Sequence, residues 1–130
     1  MSIVGSPKTA TIDIDRDAEF SGDDVDQYSS LVDLGREYDK LIITLPTLTS
    51  SAVNIYVQNN ALIDTVPTVL HHGWATGDAA TWLTAAWQIT AGAGGLTIVC
   101  DCLGGTRYIR IRCTSNQGAD RAITVRGASN

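Results

Sequence analysis

The segment "IVCDCLGGTRYIRIRCTS", residues 98–115, holds all three cysteines of the chain, and its register decides the fold. Two cysteines are spaced C-x-C around Asp101, and Cys113 follows. Three soft ligands so close could bind a metal, form a disulfide or line a core. "LGGT" is a two-residue hairpin signal, because Gly104 and Gly105 can take positive φ. With those glycines at the tip, Leu103 faces Thr106, Cys102 faces Arg107 and Cys100 faces Ile109. Ile98 then faces Ile111, and Leu96 faces Cys113. Cross-strand partners share a sheet face. One face carries Leu96, Ile98, Cys100, Cys102, Ile109, Ile111 and Cys113. The other carries Thr97, Val99, Asp101, Tyr108, Arg110 and Arg112. Apolar side chains face in and charged ones face out, and a one-residue slip would send the arginines inward.

That register spreads the thiols. Cys113 lies about 13 Å from Cys100 along the strands, too far to share a zinc ion. Cys100 and Cys102 are two apart on one strand, roughly 7 Å at Cα with parallel side chains, which is poor disulfide geometry. No histidine is near in sequence. The cysteines read as core thiols, and no metal or cofactor is expected. His71 and His72 are neighbours at a strand end, point to opposite faces and do not readily chelate one ion.

Outward from this segment, short β-rich runs recur every 8 to 12 positions, broken by Gly, Asn, Ser and Asp. This is the signature of a sandwich or barrel. The strand candidates are residues 9–15, 29–35, 39–47, 52–59, 65–72, 96–102, 107–114 and 121–127. In "VNIYVQ", Val53, Ile55 and Val57 point one way and Asn54, Tyr56 and Gln58 the other. Ile123 and Val125 alternate with Thr124 and Arg126. One apolar face per strand implies two antiparallel sheets packed together. The expected fold is all-β: a jelly-roll-like sandwich of about eight strands over residues 9–130, preceded by a flexible arm over 1–8. Residues 73–95 form a long tryptophan-bearing connection. Helical spacing of Trp82, Ala85, Ala86 and Ile89 offers a short helix there, but the β character of the rest favours one short strand near Trp87–Thr90. Trp74, Trp82 and Trp87 then cover one end of the sandwich, or grip a sugar or partner.

Composition narrows the function. A chain of 130 residues fits one core. Net charge is −5 and pI about 4.7, against a nucleic-acid binder, which needs a basic face. No apolar run approaches the roughly 20 residues of a membrane helix, and the N-terminus lacks a secretory pattern. Folding in a reducing cytoplasm is the expectation. Ten of the fourteen acids lie between Asp13 and Asp39, and five of the nine basic residues are arginines after position 106. These opposite thirds could face each other within the fold or across a subunit contact, though solvated faces are the favoured reading. Arg110, Arg112 and Arg126 are the candidate subunit or capsid contacts. Asp13, Asp15 and Asp17 sit at positions 1, 3 and 5 of a calcium loop, but Ala18 replaces the required glycine and Asp24 the final glutamate. A solvated acidic loop is expected there. No nucleotide, zinc-hydrolase or nucleophile-elbow motif occurs, so no enzyme activity and no catalytic residue is expected.

The order of motifs resembles a type of small virion protein of tailed bacteriophages. It rests on Asp33-Leu34-Gly35 opening a strand, Leu45-Pro46-Thr47 ending one, Tyr108-Ile109-Arg110, and Gln117, Ala119, Asp120 and Arg121 before the last strand. The resemblance implies a jelly-roll-like sandwich that serves as a capsid decoration, head-fibre or tail-associated module. It also implies localisation in the virion after synthesis in the host cytoplasm. The expected partner is the major capsid protein or another virion protein, and a homo-oligomer is expected, with a trimer favoured. No nucleic acid or membrane partner is expected. The alternative is a carbohydrate-binding or tail-associated adhesion module.

Overall fold

Val, Ile and Thr alternate with polar residues in most runs, and each such run is a strand in the computed structural model. The structure describes residues 2–49, 51–75, 82–91 and 95–130. The side chains of residues 51, 72–75, 82–86, 90 and 91 are outside the description. The strands are β1 (Ile3–Val4), β2 (Lys8–Ile12), β3 (Val32–Tyr38), β4 (Lys40–Leu45), β5 (Ser51–Gln58), β6 (Thr68–Val69), β7 (His71–Ala75), β8 (Trp82–Ala86), β9 (Gln88–Ala91), β10 (Leu96–Cys100), β11 (Thr106–Cys113) and β12 (Arg121–Ser129). No helix occurs among the described residues. All eight candidate regions contain strand, and β9 falls where a short strand was expected. β7 and β8 form a further antiparallel pair outside the expected set of strand pairings, with His71 opposite Ala86 and Trp74 opposite Leu83.

Two five-stranded antiparallel sheets pack as a sandwich. The first runs β1-β12-β4-β10, with β2 also on β12; the second runs β3-β11-β5-β6, with β9 also on β5. Strands β3, β4 and β5 alternate between the sheets, as do β10, β11 and β12. This crossing is the habit of jelly rolls. The core lies between them. Leu41, Ile43, Ile123 and Val125 from the first sheet meet Val53, Ile55, Ile109 and Ile111 from the second, all fully buried. Full burial of such side chains contributes about 1.5–3 kcal/mol each before entropy is counted.

The hairpin expected over residues 96–114 is corrected. Leu96, Ile98 and Cys100 pair with Leu45, Ile43 and Leu41 in the first sheet. Ile109, Ile111 and Cys113 pair with Val57, Ile55 and Val53 in the second. The link between β10 and β11 therefore crosses the sandwich. Gly104 and Gly105 do take positive φ, at 67° and 78°, but they turn the chain between sheets. The crossing is fastened to the β3–β4 corner: Leu103 N–H donates to Asp39 O at 3.0 Å, and Gly105 N–H to Tyr38 O at 3.0 Å. Leu103 drops into the core. The facing assignment survives for Ile98, Cys100, Ile109, Ile111 and Cys113, because alternation is a property of each strand, while Leu96 at the sheet edge is exposed. The pairing fails because β4 and β5 supply competing partners with equally apolar inner faces.

The arm expected over residues 1–8 is also corrected. Ile3 and Val4 pair with Ser129 and Ala128, and Lys8 opens β2. Gly5 and Gly127 make room for the buried Tyr38 ring, which a Cβ at either position would strike.

Candidate functional site

The outer face of the second sheet is covered around Arg110 and Arg112. Residues 13–30 fold over it, and the loop after β5 covers its neighbour. On β11, Arg110 points to the opposite side from Ile109 and Ile111, as the alternation requires, yet its side chain is 0% exposed. Its Nη1 donates to Glu19 Oε1 at 3.0 Å and to Ser29 O at 3.1 Å. Its Nη2 donates to Ile63 O at 3.0 Å. Its guanidinium carbon lies 4.9 Å from the Phe20 ring centroid. One planar fork thus fastens two loops to the sheet.

Arg112 extends the same layer. Its Nη2 donates to Gln27 Oε1 at 2.8 Å, and its guanidinium carbon lies 5.3 Å from the centroid of Tyr28. Phe20, Tyr28 and Tyr56 form two edge-to-face pairs with centroids 5.1 Å apart in each. The layer is a second small core of aromatic rings and cations. Burial, with the hydrogen bond to Tyr56 adding to it, pushes the Tyr28 hydroxyl up to about 12.

The acidic loop is organised internally by Arg16. Its Nη2 donates to Asp23 Oδ1 at 2.8 Å and to Tyr28 O at 3.1 Å, and its Nη1 also pairs with Asp23 and Glu19. Burial works to raise the Asp23 pKa. The Arg16 hydrogen bond, the Glu19 N–H and the charges of Arg16 and Arg110 outweigh it and hold the carboxyl below its usual value. The acidic and arginine-bearing thirds therefore meet within the fold through Glu19–Arg110, Gln27–Arg112 and Asp33–Arg107. The expectation of a solvated acidic loop is corrected on this point. Among the described residues, no group of three or more His, Cys, Asp or Glu side chains is arranged to hold a metal.

The remaining candidates are placed as follows. Arg110 is inside rather than on a contact surface, Arg112 is half-buried beneath Gln27 and Tyr28, and Arg126 is half-buried on the first sheet opposite Ile42. Trp87 is 9% exposed and belongs to the core, so it offers no sugar platform. The side chains of Trp74 and Trp82 lie outside the described residues. Cys100 and Cys113 are buried and Cys102 half-buried. The Sγ atoms of Cys100 and Cys102 are 3.5 Å apart, because the strand ends at Cys100 and the chain turns. Burial pushes the Cys100 thiol up to about 12.

The residues of the virion-protein pattern have structural places. Asp33 Oδ1 accepts the Gly35 N–H at 2.8 Å where Gly35 takes a φ of 92°, a bulge in β3. Arg107 Nε and Nη2 then grip Asp33 at 2.8 and 3.1 Å. Gln117 is buried and ties Thr49 N and Thr49 O to the segment before β12. Asp120 Oδ1 accepts the Ile14 N–H at 3.1 Å.

Two surface features were not legible beforehand. The first is a cleft of about 550 Å³ at the end of the second sheet, where Glu37, Gln58, Asn59, Thr65, Arg107 and Tyr108 converge. The second is apolar side chains left in water at both edges of the first sheet. Ile3 and Val4 mark one edge and Leu96 and Val99 the other, with Val99 58% exposed. No protein-family model, curated protein or solved structure matches the chain.

Proposed function

We propose that the chain is a non-enzymatic structural protein of a virion, a capsid decoration protein that binds the major capsid shell and assembles as a homo-oligomer. The observation that carries this reading is the pair of apolar sheet edges. Among the described residues, β1 and β10 each pair on one side only, and both bear exposed large apolar side chains. Unpaired edges of this kind are the standard means by which one chain extends the sheet of another. Their directions agree: three antiparallel steps separate β1 from β10, so β1 of one copy meets β10 of the next antiparallel. Such a contact is head-to-tail and closes into a ring when the rotation permits, with a trimer favoured. The internal use of the charged residues supports a rigid, load-tolerant scaffold. The phage-type motif residues support the virion setting.

The test has two parts. Light scattering and native mass spectrometry read the oligomer, with Val99→Asp expected to dissociate it. Mass spectrometry of purified virions reads the location. Virions that lack the chain sink the proposal, and a monomer at all concentrations sinks the ring.

A further inference from the structure

We infer that the cleft at the end of the second sheet is a binding site for a neutral saccharide, with Tyr108 as its floor. The inference does not depend on the virion reading. Asp33, Tyr108 and Gln58 stand in one row across β3, β11 and β5, so they share a sheet face. The 59–67 loop rises on one side, and Glu37 and Gly105 stand at the other. The volume of about 550 Å³ falls in the range of small-molecule sites.

Gln58 is the telling residue. It is only 7% exposed, and its Nε2 donates to Asn60 O at 3.0 Å and Leu62 O at 2.9 Å. Those two bonds fix the amide and satisfy its donors. Its Oε1 is buried and has no hydrogen-bond partner. A buried acceptor without a donor is rare in folded proteins and marks a place where an outside hydroxyl or water belongs. Gln58 also lines the cleft, so this unpartnered acceptor lies beside the space a ligand would fill.

The rest of the lining sets the ligand class. The hydroxyls of Thr65, Thr68 and Thr106 already donate to Asn60 Oδ1, Val57 O and Leu103 O, so they offer acceptor oxygens, and Asn59 offers an amide that donates and accepts. Glu37 and Arg107 bring opposite charges, and Asp33 already holds Arg107 by two nitrogens. A polyanion would meet Glu37 and find only one, already paired, guanidinium. Arg107 packs 5.2 Å from the Tyr108 centroid and fixes that ring, while Val57 and Val66 add apolar wall. Hydroxyl-matching groups around an aromatic ring and a little apolar wall suit a pyranose, which has hydroxyl edges and a C–H face. Typical drug-like sites are more apolar.

The test is a titration of the full chain, followed by ¹⁵N-resolved NMR, with neutral mono- and disaccharides of gluco, galacto and N-acetylated types. Concentrations run to about ten times a Kd on the order of 1 mM. The expected result is saturable shifts at Asn59, Thr106, Tyr108 and the Gln58 side-chain amide. Glu37→Ala and Asn59→Ala, both at the cleft surface, are expected to weaken binding about tenfold and a few-fold respectively. Tyr108→Leu, which keeps bulk at the position, abolishes it, and Thr97→Ala on the other sheet leaves it unchanged. The inference is overturned if no neutral sugar shifts the cleft residues. It is equally overturned if only anionic sugars do, or if the shifts persist undiminished in Tyr108→Leu.

Discussion

Arg110 Nη1 reaches Glu19 Oε1 at 3.0 Å across 91 residues of sequence, and the arginine is wholly buried where they meet. The same guanidinium holds Ser29 O and Ile63 O. Arg110→Ala is therefore expected to lower stability by about 3 kcal/mol or more, because a buried cation with three attachments is removed. Hydrogen exchange should then rise across residues 13–30 and 59–67 first. Arg110→Lys should not rescue, since one ammonium cannot span the three acceptors of a planar fork. A lysine variant as stable as the parent in urea unfolding would refute this account.

Asp23 gives a pH dependence with a defined sign. Its folded pKa lies below its unfolded one, through the Arg16 bond, the Glu19 N–H and two guanidinium charges that together outweigh burial. A depressed carboxylate contributes its full stabilisation above the unfolded value of about 4 and loses it as pH falls through the folded value. Acid below about pH 4 should thus loosen the 13–30 loop. Asp23→Asn should lower stability at neutral pH and approach the parent in acid. A difference between the two proteins that stays constant from neutral pH into acid would refute it.

Tyr38 lies against Gly127, whose φ is unremarkable, so the glycine is there for space. Gly127→Ala should cost about 1–3 kcal/mol by overpacking. Replacing the ring with Tyr38→Leu in the same chain should recover part of that loss, a non-additivity that thermal unfolding of the double-mutant cycle would read. Strict additivity would place the cost elsewhere.

The thiols should differ in reactivity. Burial pushes Cys100 up to about 12, so it stays protonated and inert near pH 8. Cys102 is half-buried beside it. Alkylation of the native protein should modify Cys102 well before Cys100 and Cys113, and denaturation should remove the difference. Equal native labelling of Cys100 would show that the core opens there.

Sequence alone determined where most strands lie, β1 and β8 excepted, and which side of the main ones faces inward. Ile98, Cys100, Ile109, Ile111 and Cys113 point as the alternation requires, and Gly104 and Gly105 adopt the positive φ their pairing announces. Both are local properties, set by the two-residue period of a strand and by the missing Cβ of glycine. Tertiary structure alone decided which strand each one pairs with. β10 and β11 are joined by a hairpin-like turn, yet β4 and β5 claim them for different sheets. It also decided that the polar face of the second sheet is covered around Arg110. Arg110 looked solvent-facing because alternation separates two sides of a sheet and says nothing of what lies over the outer one. That cover comes from Glu19, Phe20 and Ser29, more than 80 residues away. The cleft at Tyr108 likewise exists only where the 59–67 loop, the β3 bulge and the sandwich crossing meet. No pattern within any one of those segments encodes that meeting.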